Sequence, residues 1–195
     1  MSAANTATKQ TMMTSESLEE RRSKELQAYK RSPELNNSKW YKGMLHSQMA
    51  GTEDNNGAFD LVLIKARPGV EPPPHLHSRE HEAMYLLSGE IAFYIETEVF
   101  TAKAGEYVFI PRGKRHAFLI TSEKAEVMLY VSPGGFYGAF NKMSVPAQRM
   151  EMPNGADALT YADEDLTETI KTFQQYGTRF LTPEEIRGAL PEYPL

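Results

Sequence analysis

From Trp40 to Ala147 the chain breaks into apolar runs of strand length cut by Gly, Pro and Asn, and no helical period is sustained across them. A stretch of that texture cannot build a helical bundle. It predicts strands from Trp40 to Met49, from Phe59 to Ala66, and over 82–88, 90–96, 106–110, 116–121 and 125–131. The polar stretch from Gly51 to Gly57 reads as a hairpin loop. Short strands at regular spacing point to an all-β sandwich or barrel over 36–148.

The flanks differ in character. Residues 1–35 begin as a Ser, Thr, Ala and Asn rich flexible lead. Ser17-Leu18-Glu19-Glu20 then has capping-box form, and Leu18, Leu26 and Tyr29 follow at roughly helical spacing, which predicts a short helix up to Pro33. In the tail, 149–195, Leu166, Ile170 and Phe173 fall at i, i+4 and i+7, with Gly177 as a helix stop. Thr182-Pro183-Glu184-Glu185 opens a last helix. An amphipathic helix needs an apolar surface to cover, so the tail is expected to pack on the barrel. No internal repeat is visible.

Composition narrows the function. Hydrophobic residues make up 41% and charged residues 24%, enough for a core. A net charge of −5 without a basic stripe argues against nucleic acid as a partner. With no cysteine, thiolate ligands and Cys nucleophiles are excluded. No apolar run is long enough to span a bilayer, and the N-terminus has no signal-like apolar core, so no membrane partner and a cytoplasmic location are expected. Trp40, Tyr41 and Leu45 look like more apolar surface than a small barrel would bury, which suggests a symmetric homodimer.

Three of the five histidines fall in two segments with metal-ligand spacing. In the first, which starts at Gly69, His75 and His77 point the same way on an extended chain, about 6.6 Å apart along the backbone. Two imidazoles can then grip one ion, and Glu82 adds an anionic oxygen from the next strand. Pro72-Pro73-Pro74 lacks N–H donors, which suits a rim. The second segment runs from Gly105 to His116, where His116 opens a strand. His81 neighbours Glu82 and should face outward, and His46 reads as a strand histidine rather than a fifth ligand. Lys114 and Arg115 read as solvated rim charges. Alternate residues from the ligands, Met84 and Leu86 after Glu82 and Phe118 and Ile120 after His116, should line an apolar pocket.

These residues resemble the cupin superfamily. The motif G-x5-H-x-H-x4-E-x6-G is matched at Gly69, His75, His77, Glu82 and Gly89, and G-x5-P-x-G-x2-H at Gly105, Pro111, Gly113 and His116. The closing Asn of the second motif is Ile120 here, which touches no ligand. The resemblance implies a double-stranded β-helix, or jelly-roll barrel, with short helices at both ends. It also implies one divalent transition metal per chain held by His75, His77, Glu82 and His116. Fe, Mn, Ni, Co or Cu suits that donor set, with Zn a further option.

Within the cupins the chain is similar to the quercetin-dioxygenase-like group. The likeness lies in the Pro-Pro-His-x-His approach, in Ser132-Pro133-Gly134-Gly135-Phe136, and in a tail segment from Gly177 to Leu181. That implies a small-molecule substrate, dioxygen as co-substrate, and Glu82 as catalytic base. Three readings follow: a dioxygenase for a small oxygen-bearing aromatic or enediol, a non-oxidative metal-dependent lyase, isomerase or decarboxylase, and a small-molecule-binding cupin without turnover.

Overall fold

Lys42 and Gly43 reverse the chain in a two-residue turn, both at positive φ (47° and 81°), as the twist of a tight hairpin requires. The computed structural model, which describes residues 25–194, therefore divides the single strand expected from Trp40 to Met49 into β1 (Ser38–Tyr41) and β2 (Met44–Ala50). Lys-Gly is not one of the usual Asn-Gly or Asp-Gly hairpin signals, so the break is hidden in the sequence. The loop after β2 contains one helical turn, α1 (Thr52–Asn55), before β3 (Asp60–Ala66) pairs antiparallel with β2.

The remaining barrel strands are β4 (His75–His77), β5 (His81–Ser88), β6 (Glu90–Ile95), β7 (Glu98–Lys103), β8 (Tyr107–Ile110), β9 (His116–Ile120) and β10 (Ala125–Ser132). After them come α2 (Tyr137–Met143), β11 (Val145–Pro146), α3 (Thr167–Gln175), β12 (Thr178–Phe180) and α4 (Pro183–Ala189). The strands form two antiparallel sheets, ordered β11-β1-β2-β3-β10-β5-β8 and β12-β4-β9-β6-β7. Their facing sides share one core that includes Leu86, Ile91, Phe93, Ile110 and Val131. This two-sheet, all-β arrangement is the jelly-roll architecture that the sequence resemblance implies. Gly89 shows why a motif glycine is needed: at φ +85° between β5 and β6, an added Cβ would lie 2.4 Å from the Lys124 carbonyl oxygen.

Several elements have no counterpart in the sequence expectations. β7 follows β6 through Glu96-Thr97, with Glu96 at φ 52° and no glycine to announce the turn, and nearly all of β7 is exposed. The tail is more than helical, since β12 is an edge strand of the five-stranded sheet and pairs with β4. The N-terminal helix expected up to Pro33 begins outside the described residues, and 25–34 is not helical. Leu26 and Tyr29 are about half exposed, so no apolar face supports a helix there. Tyr29 Oη and Arg31 Nη1 instead donate to the Met49 carbonyl.

The expected surface residues for a dimer are not on the surface. Trp40, Tyr41 and Leu45 are all buried. Trp40 and Leu45 lie beneath Ala147, Met150 and Met152, with the Trp40 indole N–H donating to the Glu151 carbonyl at 2.8 Å. Tyr41 turns into the core, edge-on to Phe140.

α3 presents Thr169 and Phe173 to the barrel. Phe173 is 3% exposed and packs against Phe136, Phe140 and Phe180. Phe173→Ala should lower unfolding stability by about 3–5 kcal/mol, since the aromatic cluster cannot close around the void. Chemical denaturation that shows the parent midpoint in this variant would refute the packing. α4 starts as the sequence expects: Thr182 Oγ1 accepts the Glu185 N–H at 3.2 Å, and Glu185 accepts the Thr182 N–H at 2.9 Å.

Candidate metal centre

The site bridges the two sheets. β4 alternates its side chains, so His75 and His77 are buried while Leu76 between them is not. β9 pairs with β4 so that His116 lies opposite His75. Glu82 comes from the other sheet, at the start of β5. One ligand atom from each of His75, His77, Glu82 and His116 lies within 4.8 Å of all the others, and all four residues are buried.

The imidazoles are held by their outward nitrogens. Nδ1 of His75 faces the Pro73 carbonyl at 2.9 Å, and Nδ1 of His116 faces the Lys114 carbonyl at 3.0 Å. A carbonyl only accepts, so each Nδ1 carries the proton and each Nε2 keeps its lone pair for the centre. His77 Nδ1 lies 3.3 Å from Thr178 Oγ1 in β12, with the buried Glu80 carboxylate at 3.9 Å. Two inward nitrogens, His77 Nε2 and His116 Nε2, are buried without an aligned hydrogen-bond partner, although Glu82 Oε2 stands 2.9 and 3.5 Å away. Two imidazole nitrogens converging on one carboxylate form a donor set that fits a cation.

Electrostatics agree with that fit. Burial pushes Glu82 up, but the adjoining His116 and His77 rings outweigh it and hold its carboxyl well below the usual carboxylate range. Burial, reinforced by His116 and His77, pushes His75 well below the ordinary imidazole value. An anionic carboxylate beside a neutral imidazole is the state that binds a divalent ion. This buried group could therefore hold one metal ion; its donors alone do not select which.

A narrow cavity opens beside the centre, and His75, His77 and Glu82 form part of its wall. Met84 and Phe118 line it, as alternation predicts. Leu86 and Ile120 do not. Leu86 is fully buried a layer further down β5, and Ile120 lines a separate apolar space beyond Met84 and Phe118. Alternation names the face of a strand but not how many layers of side chains fill the barrel. The aromatic wall is made by Phe136, Phe140, Phe173 and Phe180, from segments where the sequence signalled no pocket. Phe136 closes the Ser132-Pro133-Gly134-Gly135-Phe136 stretch and stands edge-on to His77, ring centres 4.6 Å apart.

The other flagged residues lie elsewhere. His81 is exposed, and its Nδ1 accepts the Arg112 backbone N–H. Arg115 is engaged by Glu96 at 2.7 Å and Lys114 is exposed, so neither enters the site. His46 is buried and lines the cavity, although it is not among the four clustered residues.

Among known families, the cupin domain matches residues 62–132. Quercetin 2,3-dioxygenase of Bacillus subtilis (strain 168) is 24% identical over 119 residues, which is 61% of this chain and 34% of that protein. An uncharacterized protein of Aquifex aeolicus (strain VF5) is 33% identical over 73 residues, 37% of this chain and 57% of that one. The chain thus spans about a third and somewhat over half of these two curated relatives. Among solved structures, KdgF from Halomonas sp. is similar at 21% identity and a TM-score of 0.44, covering 49% of this chain and 84% of that one. Two-sheet topology, both ligand motifs and a family match spanning β3 to β10 agree, and residues 62–132 match a cupin domain.

Proposed function

We propose that the protein is a metal-dependent dioxygenase that oxidises a small oxygen-bearing aromatic or enediol compound. One observation carries the reading: a buried carboxylate among three imidazoles forms one wall of a cavity whose other walls are mainly apolar and rich in aromatic rings. A divalent ion held by His75, His77, Glu82 and His116 would acidify a hydroxyl brought to it. Phe136 and Phe180, against His77 and His75 respectively, give the cavity an aromatic wall that orients a ring or planar enediol and excludes water. Glu82, with one oxygen near His77 and His116, takes the substrate hydroxyl's proton. Dioxygen is the oxidant, and both its atoms enter the product.

The test is dioxygen uptake by protein reconstituted separately with Fe(II), Mn(II), Ni(II), Co(II), Cu(II) and Zn(II), offered catechols and enediols. Uptake with at least one metal and none without metal is expected. Product formation that continues unchanged under argon would replace this reading with the non-oxidative one, and no product in either gas would leave a binding protein.

We also propose a homodimer, on a surface other than the one expected from the sequence. Among the described residues β8 ends the seven-stranded sheet with one side unpaired, and the outer face beside it carries Tyr85, Tyr107, Phe109 and Tyr130, each well exposed. An exposed aromatic face at an open sheet edge favours pairing with a second copy. Light scattering at micromolar concentration should give twice the chain mass, falling to one in Tyr107→Arg. A monomeric parent would refute the dimer.

A further inference from the structure

We infer that His46 is a second recognition point inside the metal cavity, so that the ligand is a compact molecule carrying a neutral hydroxyl or carbonyl on the side away from the His75, His77, Glu82 and His116 centre. The inference rests on the preceding reading that an oxygen-bearing ring or enediol enters there. His46 is 1% exposed, and among the described residues neither of its ring nitrogens has a hydrogen-bond partner. It belongs to β2 in alternation with Met44, and both line the cavity that His75, His77 and Glu82 also line.

What surrounds the imidazole makes the ring anomalous. Its nearest aromatic neighbour is Phe140, centroids 5.0 Å apart, and Phe140 in turn meets Phe136, which meets His77. The wall between the two histidines is thus made of phenyl rings that cannot hydrogen-bond. A buried polar group without a partner is costly, and a Leu or Phe would fill the same space without that cost. The cavity wall therefore carries polar groups both at His46 and at the four-residue centre, with the Phe140 and Phe136 rings between them. Burial as the main cause lowers the His46 pKa to about 3, so the ring is neutral and offers one N–H and one lone pair. A neutral imidazole suits a hydroxyl or a carbonyl and gives no charge to hold a carboxylate.

Two catechols test this, 3,4-dihydroxybenzaldehyde and 4-methylcatechol, which share the ring and hydroxyl pair but end in a carbonyl or a methyl group. Each is titrated anaerobically by calorimetry into Zn(II)-loaded parent, His46→Leu and His46→Gln. The aldehyde also acidifies its own hydroxyls, so the quantity compared is the ratio of the two affinities. That ratio should be about tenfold larger in the parent than in His46→Leu, the worth of one hydrogen bond, and His46→Gln should recover part of it. In the parent, the His46 side-chain 15N resonances should shift with the aldehyde and not with the methyl compound, a readout that needs no variant to fold. Equal ratios in parent and His46→Leu, unmoved His46 resonances, or no binding of either probe to the parent would each overturn the inference. If the ratios differ as expected while no catechol drives dioxygen uptake, the proposed reaction fails and the role of His46 stands. If uptake is seen with equal ratios, the reverse holds.

Discussion

His77→Ala is expected to strip the metal from the protein and leave the fold in place. His77 supplies one of the two inward nitrogens that are buried without an aligned partner, and its ring lies 2.9 Å from Glu82. Outer-shell partners alone shift metal affinity about 10–100-fold, so loss of a direct ligand should exceed that range. The core around Leu86, Ile91 and Phe93 makes no use of the ion, so circular dichroism should stay that of a β protein. A second readout is thermal. Metal at 100 times its dissociation constant should stabilise the parent by about 2.7 kcal/mol, and His77→Ala should show almost none of that gain. Elemental analysis that finds the parent's metal content in His77→Ala would remove this residue from the site.

Glu82→Gln should cost turnover more than it costs metal. The amide keeps the shape and can still offer a neutral oxygen, but it cannot take up a proton. Its NH₂ would also stand against the His77 Nε2 that Glu82 Oε2 now faces at 2.9 Å. Loss of a positioned general base lowers rates by about 10²–10⁴-fold. The measurement is dioxygen uptake at saturating metal with a substrate the parent turns over, alongside the metal content of the same samples. Parent-like uptake in Glu82→Gln would disprove the base role, and a rate loss that only tracks lost metal would reduce Glu82 to a ligand.

The two effects separate because Glu82 stands apart from the imidazoles in the architecture. His75, His77 and His116 belong to one sheet and Glu82 to the other, so among the described residues the carboxylate is the one member of the group that the seven-stranded sheet sends across. Thr178 and Phe180 of β12 touch His77 and His75. The tail therefore supports the ligand strand directly, in addition to covering the barrel with Phe173.

The grouping of His75, His77, Glu82 and His116 was legible in the sequence because it depends on short-range rules. His75 and His77 share a face since extended backbone alternates, and Glu82 and His116 sit at fixed spacings from glycines that end strands. The same alternation places Met84 and Phe118 in the cavity. Depth is not a local property: Leu86 and Ile120 obey the alternation and still belong to other layers. The aromatic wall, the β12 support of His77, and the burial of Trp40 under 147–152 were decided only by tertiary structure, because each joins segments far apart in the chain. His46 shows the division most sharply. Sequence places it on a strand, but only the packing of β2 against α2 turns that strand's face into a wall of the cavity and leaves the imidazole without a partner among the described residues.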